Sequence, residues 1–208
     1  MQEDEVVTDV RSGAGRTPSR AVEQALVDAA ERVLVRDGLG AVTVRAVATE
    51  AGVAPMGVYN RFGSKDGLIA AVLVRGFDGL RAAVTEDADP DPIARLLASG
   101  RNYRRFALAQ PQHYGAMFGG RPLPTEGADE LVAYAAAAFE ALVDHVRHAM
   151  ARGALREQDP TETAQLIWSS VHGAVSLELG GAVLTPDPAV TYESLLHLLV
   201  DGLRRPPP

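Results

Sequence analysis

Residues 43–65 read TVRAVATEAGVAPMGVYNRFGSK and hold the side chains of this chain best suited to chemistry. Thr43, Arg45, Tyr59 and Lys65 place a hydroxyl, a guanidinium, a phenol and an ammonium in one short span, all of them donors that suit phosphate oxygens. Between them, Ala54, Pro55, Met56 and Asn60 combine apolar surface, fit to touch a thymine methyl, with an amide that can pair with a base edge. Lys65 is the only lysine in the chain; all its other formal positive charge is arginine. Taken singly, Tyr59 also fits half-buried packing and Lys65 a solvated surface charge. Their joint spacing is what points to a polyanion.

Such residues act together only if local structure presents them on one face. Thr43 can cap a helix from Val44 to Ala51, its hydroxyl accepting a first-turn amide hydrogen. Gly52 allows the positive φ of a tight turn, and Pro55 suits the first turn of a second helix. Val44, Val47, Ala48 and Ala51 would then pack inward, with Val58 and Phe62 anchoring the second helix. Two short helices about a glycine turn are the layout of a helix-turn-helix, whose second helix enters a major groove. Upstream, Val22, Ala25, Leu26, Ala29 and Val33 recur at helical spacing up to Gly38 and Gly40. Downstream, Ser64 can cap a fourth helix to about Glu86, with Ile69, Val72, Leu73, Phe77, Leu80 and Val84 on one face. Further helical segments fall near 92–109, 111–118, 126–152, 160–180 and 188–204, and few windows alternate at period two. The expected class is all-α with about nine helices. A flexible arm (1–18) precedes a three-helix DNA-binding domain (19–65), a larger helical domain (66–204) and a short tail (205–208).

The stretch TVRAVATEAGVAPMGVYNRFGSKDGL closely resembles the DNA-binding segment of the tetracycline-repressor (TetR) family, whose pattern runs roughly T-v-R-x-I-A-x-x-A-G-V-S-x-G-x-L-Y-x-H-F-x-S-K-x-x-L. The resemblance covers about residues 20–70. It implies a homodimeric one-component regulator whose C-terminal helical domain binds a ligand and dimerises. It also implies phosphate contacts at Thr43, Tyr59 and Lys65, and base reading at Ala54, Pro55, Met56 and Asn60. Three departures from the pattern matter. Ala54 stands for the usual serine and removes a helix cap, Met56-Gly57 stands for a glycine followed by a small residue, and Arg61 stands for histidine. The segment from Trp168 to His172-Gly173 is similar to the Trp…His-Gly signature of one C-terminal subgroup of that family.

In the second domain, Ser169, Gly173, Ser176 and Gly180 form a stripe of small residues along one helix. The last helix, with Tyr192, Leu195, Leu196, Leu198, Leu199, Val200 and Leu203, is apolar over most of its circumference. Two such helices from each protomer would build a four-helix dimer interface, unless both are buried within one monomer. Candidate ligand-binding side chains are Tyr103, Phe106, Tyr114, Met117, Phe118, Tyr134, Phe139, Trp168 and His172, with Arg101 and Arg104 as charged anchors. Each one alone fits core packing; as a group they suggest a pocket for a small, mostly apolar effector.

Charge is uneven across the 208 residues, which carry a net −7. Residues 11–75 hold nine bases against six acids, whereas 76–208 hold eleven against seventeen. A basic segment on an acidic body suits one polyanionic partner and one that is not. The absence of cysteine excludes disulfides, cysteine metal sites and a thiol nucleophile. No run approaches the ~18 apolar residues of a membrane span, and the acidic start lacks a secretory pattern, so a cytoplasmic protein without membrane contact is expected. His145 and His148 have metal-compatible spacing but also fit a solvated helix face, so no metal or cofactor is expected. Nucleophile-elbow and phosphate-loop motifs are missing. The expected partners are a pseudo-palindromic double-stranded DNA operator, a small-molecule effector and a second copy of the chain. An all-α enzyme or small-molecule-binding protein without DNA binding, and a DNA-binding protein without ligand control, remain as alternatives.

Overall fold

Caps and prolines decide where the helices begin. Asp91, Asp159 and Asp187 each accept amide hydrogens of the turn that follows, and each precedes a proline whose missing N–H is not needed there. Thr43 and Ser64 do the same for the helices after them, through Ala46 N–H and Gly67 N–H, both at 3.2 Å. The computed structural model describes residues 19–86, 89–120, 122 and 124–204. The arm 1–18 and tail 205–208 lie outside the described residues.

Among those residues the chain forms α1 (Ser19–Asp37), α2 (Val44–Ala51), α3 (Pro55–Phe62), α4 (Lys65–Val84), α5 (Pro92–Ala109), α6 (Pro111–Phe118), α7 (Ala128–Ala151), α8 (Pro160–Leu179) and α9 (Pro188–Leu203). A single 3-10 turn, Leu39–Ala41, joins α1 to α2, and an isolated bridge pairs Leu155 with Arg204. The fold is all-α, with no strand among the described residues.

Two hydrophobic cores share one helix. Leu26, Leu34, Val42, Val47, Val58 and Leu68 centre the first, between α1, α2, α3 and the start of α4. Phe77, Leu80, Ile93, Val143, Val146 and Val171 centre the second, between the rest of α4 and α5, α7 and α8. α4 supplies Leu68 and Val72 to the first core and Leu73, Phe77, Leu80 and Val84 to the second. At 1.5 Å per residue its 20 residues span about 30 Å.

His145 does not sit on a solvated face. It is half-buried, and its Nε2–H donates to the Val84 carbonyl at 3.0 Å, closing an open acceptor at the end of α4. Burial holds its pKa below the ordinary imidazole range, against the pull of that bond. Among the described residues no group of three metal-ligating side chains converges.

α3 starts without a side-chain cap, because the Ala54 methyl accepts nothing. Ala54→Ser is expected to stabilise the free protein by about 1 kcal/mol, read as a higher denaturation midpoint with an unchanged denaturant slope.

Candidate nucleic-acid interface and interior cavity

The tight turn between α2 and α3 depends on Gly52, held at φ 69° and ψ 30°, the left-handed region that other residues enter at a cost. Val44, Val47 and Ala48 of α2 and Val58 of α3 are buried as the sequence requires, and Ala51 and Phe62 are partly so. With its inner face fixed, the outer face follows. Ala54, Pro55, Met56, Tyr59 and Asn60 are exposed, Met56 at 65% and Tyr59 at 47%. Arg45 near the start of α2 and Lys65 at the start of α4 are exposed too, while the capping Thr43 is half-buried. All eight residues therefore lie along α2, α3 and the first turn of α4.

The neighbouring charges are largely engaged. Arg32 and Arg36 both reach Glu50, and Arg75 pairs with Asp28 and Glu31. Arg45 and Lys65 have no ion-pair partner among the described residues. Two amide-rich helix starts, each bearing one of these cations, make a surface suited to phosphate. Gly57, inside α3, has no packing reason to be glycine: an added Cβ would meet only Val53 Cγ2, at 3.9 Å.

The start of α4 is also tied to the larger domain. Ser64 Oγ–H donates to the Glu126 carboxylate, and Asp66 accepts from the Thr125 hydroxyl at 2.9 Å and the Thr125 amide at 3.2 Å. These bonds to Thr125 hold the Asp66 carboxyl below its usual range. On the other side, Glu31 of α1 lies 3.4 Å from His113 Nε2 of α6. Burial raises the Glu31 pKa, but His113 and Arg75 more than offset it and leave it lowered. Neither contact with the larger domain left a mark in the sequence, since the partners stand 59 to 82 residues apart without a shared motif.

Among the helices of the larger domain is a cavity of about 170 Å³, partly open to solvent. Of the nine candidate ligand residues, Tyr103, Phe118, Phe139 and Trp168 line it. Tyr114 and His172 stand behind this wall. Tyr103 Oη lies 3.0 Å from Tyr114 Oη and 2.9 Å from His172 Nδ1, and Tyr114 Oη lies 2.7 Å from that nitrogen. Trp168 Nε1–H donates to Tyr103 Oη at 3.3 Å. Each donor is used once if Tyr103 donates to Tyr114 and Tyr114 donates to an unprotonated Nδ1. A proton on Nδ1 would reverse the Tyr114 bond and force the Tyr114 hydroxyl hydrogen to turn away from His172. Burial likewise lowers the His172 pKa and raises those of both tyrosines.

The other three candidates lie elsewhere. Phe106 is buried against α4 at Gly79, Tyr134 is only half-buried and off the cavity wall, and Met117 faces a separate cleft of about 680 Å³ between the two domains. Arg101 and Arg104 are not anchors for the cavity; they pair with Glu193 and Glu178, the latter at 2.6 Å and 2.8 Å. Sequence reasoning missed Phe77, Leu80 and Val84 of α4 and Leu196, Leu199 and Val200 of α9, which also line it. Aliphatic residues at helical spacing carry no sign that separates a cavity wall from a solid core.

This arrangement has known counterparts. Residues 26–72 match the family described as "Bacterial regulatory proteins, tetR family", and residues 96–199, half of the chain, match "Tetracyclin repressor-like, C-terminal domain". The chain belongs to the TetR family. It is 25% identical over 225 aligned positions to an HTH-type transcriptional regulator of Mycobacterium tuberculosis, covering 91% of this chain and 95% of that one. A solved protein of unknown function from Rhodococcus sp. RHA1 superposes with a TM-score of 0.81 at 25% identity, over 93% of this chain and all of the other. The TetR family transcriptional regulator PfmR of Thermus thermophilus shares the fold, with a TM-score of 0.62 and 21% identity over 86% and 99% of the two chains. As a TetR-family member the chain is a DNA-binding transcriptional regulator and not an enzyme. None of its helices among the described residues is long and apolar enough to cross a membrane.

Two outcomes follow for this TetR-family chain. Gly57→Ala should raise the stability of the free protein by up to about 1 kcal/mol, yet weaken its hold on duplex DNA if the bare backbone there admits a close approach, as paired melting and anisotropy titrations would measure. His172 and His145 both have folded pKa values below the unfolded value of 6.5. The unfolded chain therefore takes up more protons as pH falls past that value, and the unfolding free energy should decline from pH 7.5 to 5.5. His172→Gln should flatten part of this slope in denaturant melts across the same range.

Proposed function

We propose that the protein is a homodimeric, ligand-responsive repressor, released from a pseudo-palindromic operator when a small, mostly apolar effector enters the interior cavity. In this reading α3 lies in the major groove, with Ala54, Pro55, Met56 and Asn60 toward base edges, and Thr43, Arg45, Tyr59 and Lys65 hold phosphates. The observation that carries the proposal is the course of α4. Its first turn bears Lys65 on the exposed cationic edge, and Phe77, Leu80 and Val84 near its other end form part of the cavity wall. A molecule that moves this wall moves the phosphate-facing end of the same helix.

Dimerisation is supported by what α8 and α9 leave exposed. Tyr192, Leu196 and Val200 turn toward their own core, whereas Leu166 and Leu177 of α8 and Val190 and Leu198 of α9 face outward. The small-residue stripe on α8 includes Gly173, where an added Cβ would meet nothing within 4 Å, so a second backbone can come close. Two copies would give the paired recognition helices that half-sites roughly 34 Å apart demand. The effector acts through differential affinity for the conformers. Strong release requires it to prefer the non-binding spacing by on the order of 10²–10⁴-fold.

Gel shifts on the DNA flanking the protein's own coding region, across a salt series and with apolar compounds added, test this reading. Binding that no compound disturbs would remove the ligand-responsive part. Lys65→Ala should weaken binding almost equally on all sequences and flatten the plot of log affinity against log salt by about one unit. Asn60→Ala should instead change base preference, read by selecting bound duplexes from a random pool. If it leaves both preference and affinity as they were, Asn60 reads no base.

A further inference from the structure

We infer that the interior cavity takes a neutral aromatic molecule of about six to ten non-hydrogen atoms and excludes carboxylates and ammonium ions of the same shape. The inference rests on reading this cavity as the effector site and adds the chemical class of its occupant.

Size sets the first limit. A dry cavity of about 150 Å³ lined by aliphatic and aromatic side chains holds benzene, and this one measures about 170 Å³. That leaves room for a substituted single ring or a small fused pair. Shape sets the second. The rings of Phe118 and Phe139 flank Trp168, with centroids 6.1 Å and 6.0 Å away and planes inclined by 53° and 63°. Phe77 meets Phe118 edge to face at 5.6 Å. Ring faces and edges set at such angles favour an aromatic guest over a chain.

Charge is the deciding limit. The described residues that line the cavity include no Lys, Arg, His, Asp or Glu. Their polar side chains are Ser99, Tyr103 and Trp168, and two of these are already engaged. Trp168 Nε1–H is held by Tyr103, and Tyr103 Oη lies against Tyr114 and His172. The Gly100 carbonyl accepts from the Tyr192 hydroxyl at 2.8 Å. Arg104, which the sequence offers as a counter-charge for an anion, chelates Glu178 and lies 5.7 Å from the centre of the Tyr192 ring. An ion entering the cavity would lose part of its hydration and meet no opposite charge on the lining. Ser99, 4% exposed, offers one weak polar contact and no more.

The chain reports its own occupancy, because Trp168 is its only tryptophan and stands in the cavity wall. The full-length protein is titrated with three probes that share a bromophenyl group and differ in charge: 4-bromotoluene, 4-bromobenzoate and 4-bromobenzylammonium. Heavy-atom quenching of Trp168 is followed together with the melting temperature. 4-Bromotoluene is expected to quench saturably and raise the melting temperature, with both ions at least about 100-fold weaker. Ala138→Leu, which fills the cavity from α7, should abolish the quenching without lowering the melting temperature. Should that variant fail to fold, the charge series on the unaltered protein decides alone. An ion that quenches within tenfold of 4-bromotoluene, or a neutral probe that does not saturate, overturns the inference. The release reading is scored separately on the flanking DNA. A bound 4-bromotoluene that leaves the duplex held refutes release and leaves the ligand class standing. A charged compound that quenches Trp168 and frees the duplex does the reverse.

Discussion

One helix belonging to two cores is the constraint from which the rest of the structure follows. α4 contributes Leu68 and Val72 to the small N-terminal core and Leu73, Phe77, Leu80 and Val84 to the large one. Close-packed interiors resist gradual deformation and change by switching between discrete packings. A helix anchored at both ends in such material carries a displacement from one to the other with little loss along its length. The contacts that flank it, Ser64 with Glu126 and Asp66 with Thr125, limit how it can tilt.

The elements were legible because local chemistry decided them. Thr43 and Ser64 marked the starts of α2 and α4 as caps, Pro55 marked that of α3, and Gly52 marked a turn held in the left-handed region. The exposed face of α3 was legible for a related reason: once Val58 and Phe62 face inward, Pro55, Met56, Tyr59 and Asn60 have nowhere to go but out. What could not be read was whatever depends on residues distant in sequence. Arg101 and Arg104 looked available as ligand anchors until Glu193 and Glu178, 92 and 74 residues on, closed on them.

The aromatic group of the larger domain divides by hydrogen bonding into two populations that composition alone could not separate. Phe118, Phe139 and Trp168 present ring surface to the cavity, whereas Tyr114 and His172 engage the polar edge of Tyr103 from behind. The second set keeps the first in position: with its hydroxyl held by Tyr114 and His172, the Tyr103 ring cannot turn away from the wall. A polar cluster and an apolar void side by side are therefore one construction, the cluster supplying the rigidity that an empty space lacks.

α9 is two-faced in a way that reaches beyond its own packing. Leu196, Leu199 and Val200 form part of the cavity wall, while Leu198 and Val190 look outward from the same sixteen-residue helix. In the proposed dimer, a second copy docked on the outer side would stiffen the inner one. Guest uptake and assembly would then be thermodynamically linked through a shared partition, so that the dilution at which protomers part would also shift the occupancy of the chamber.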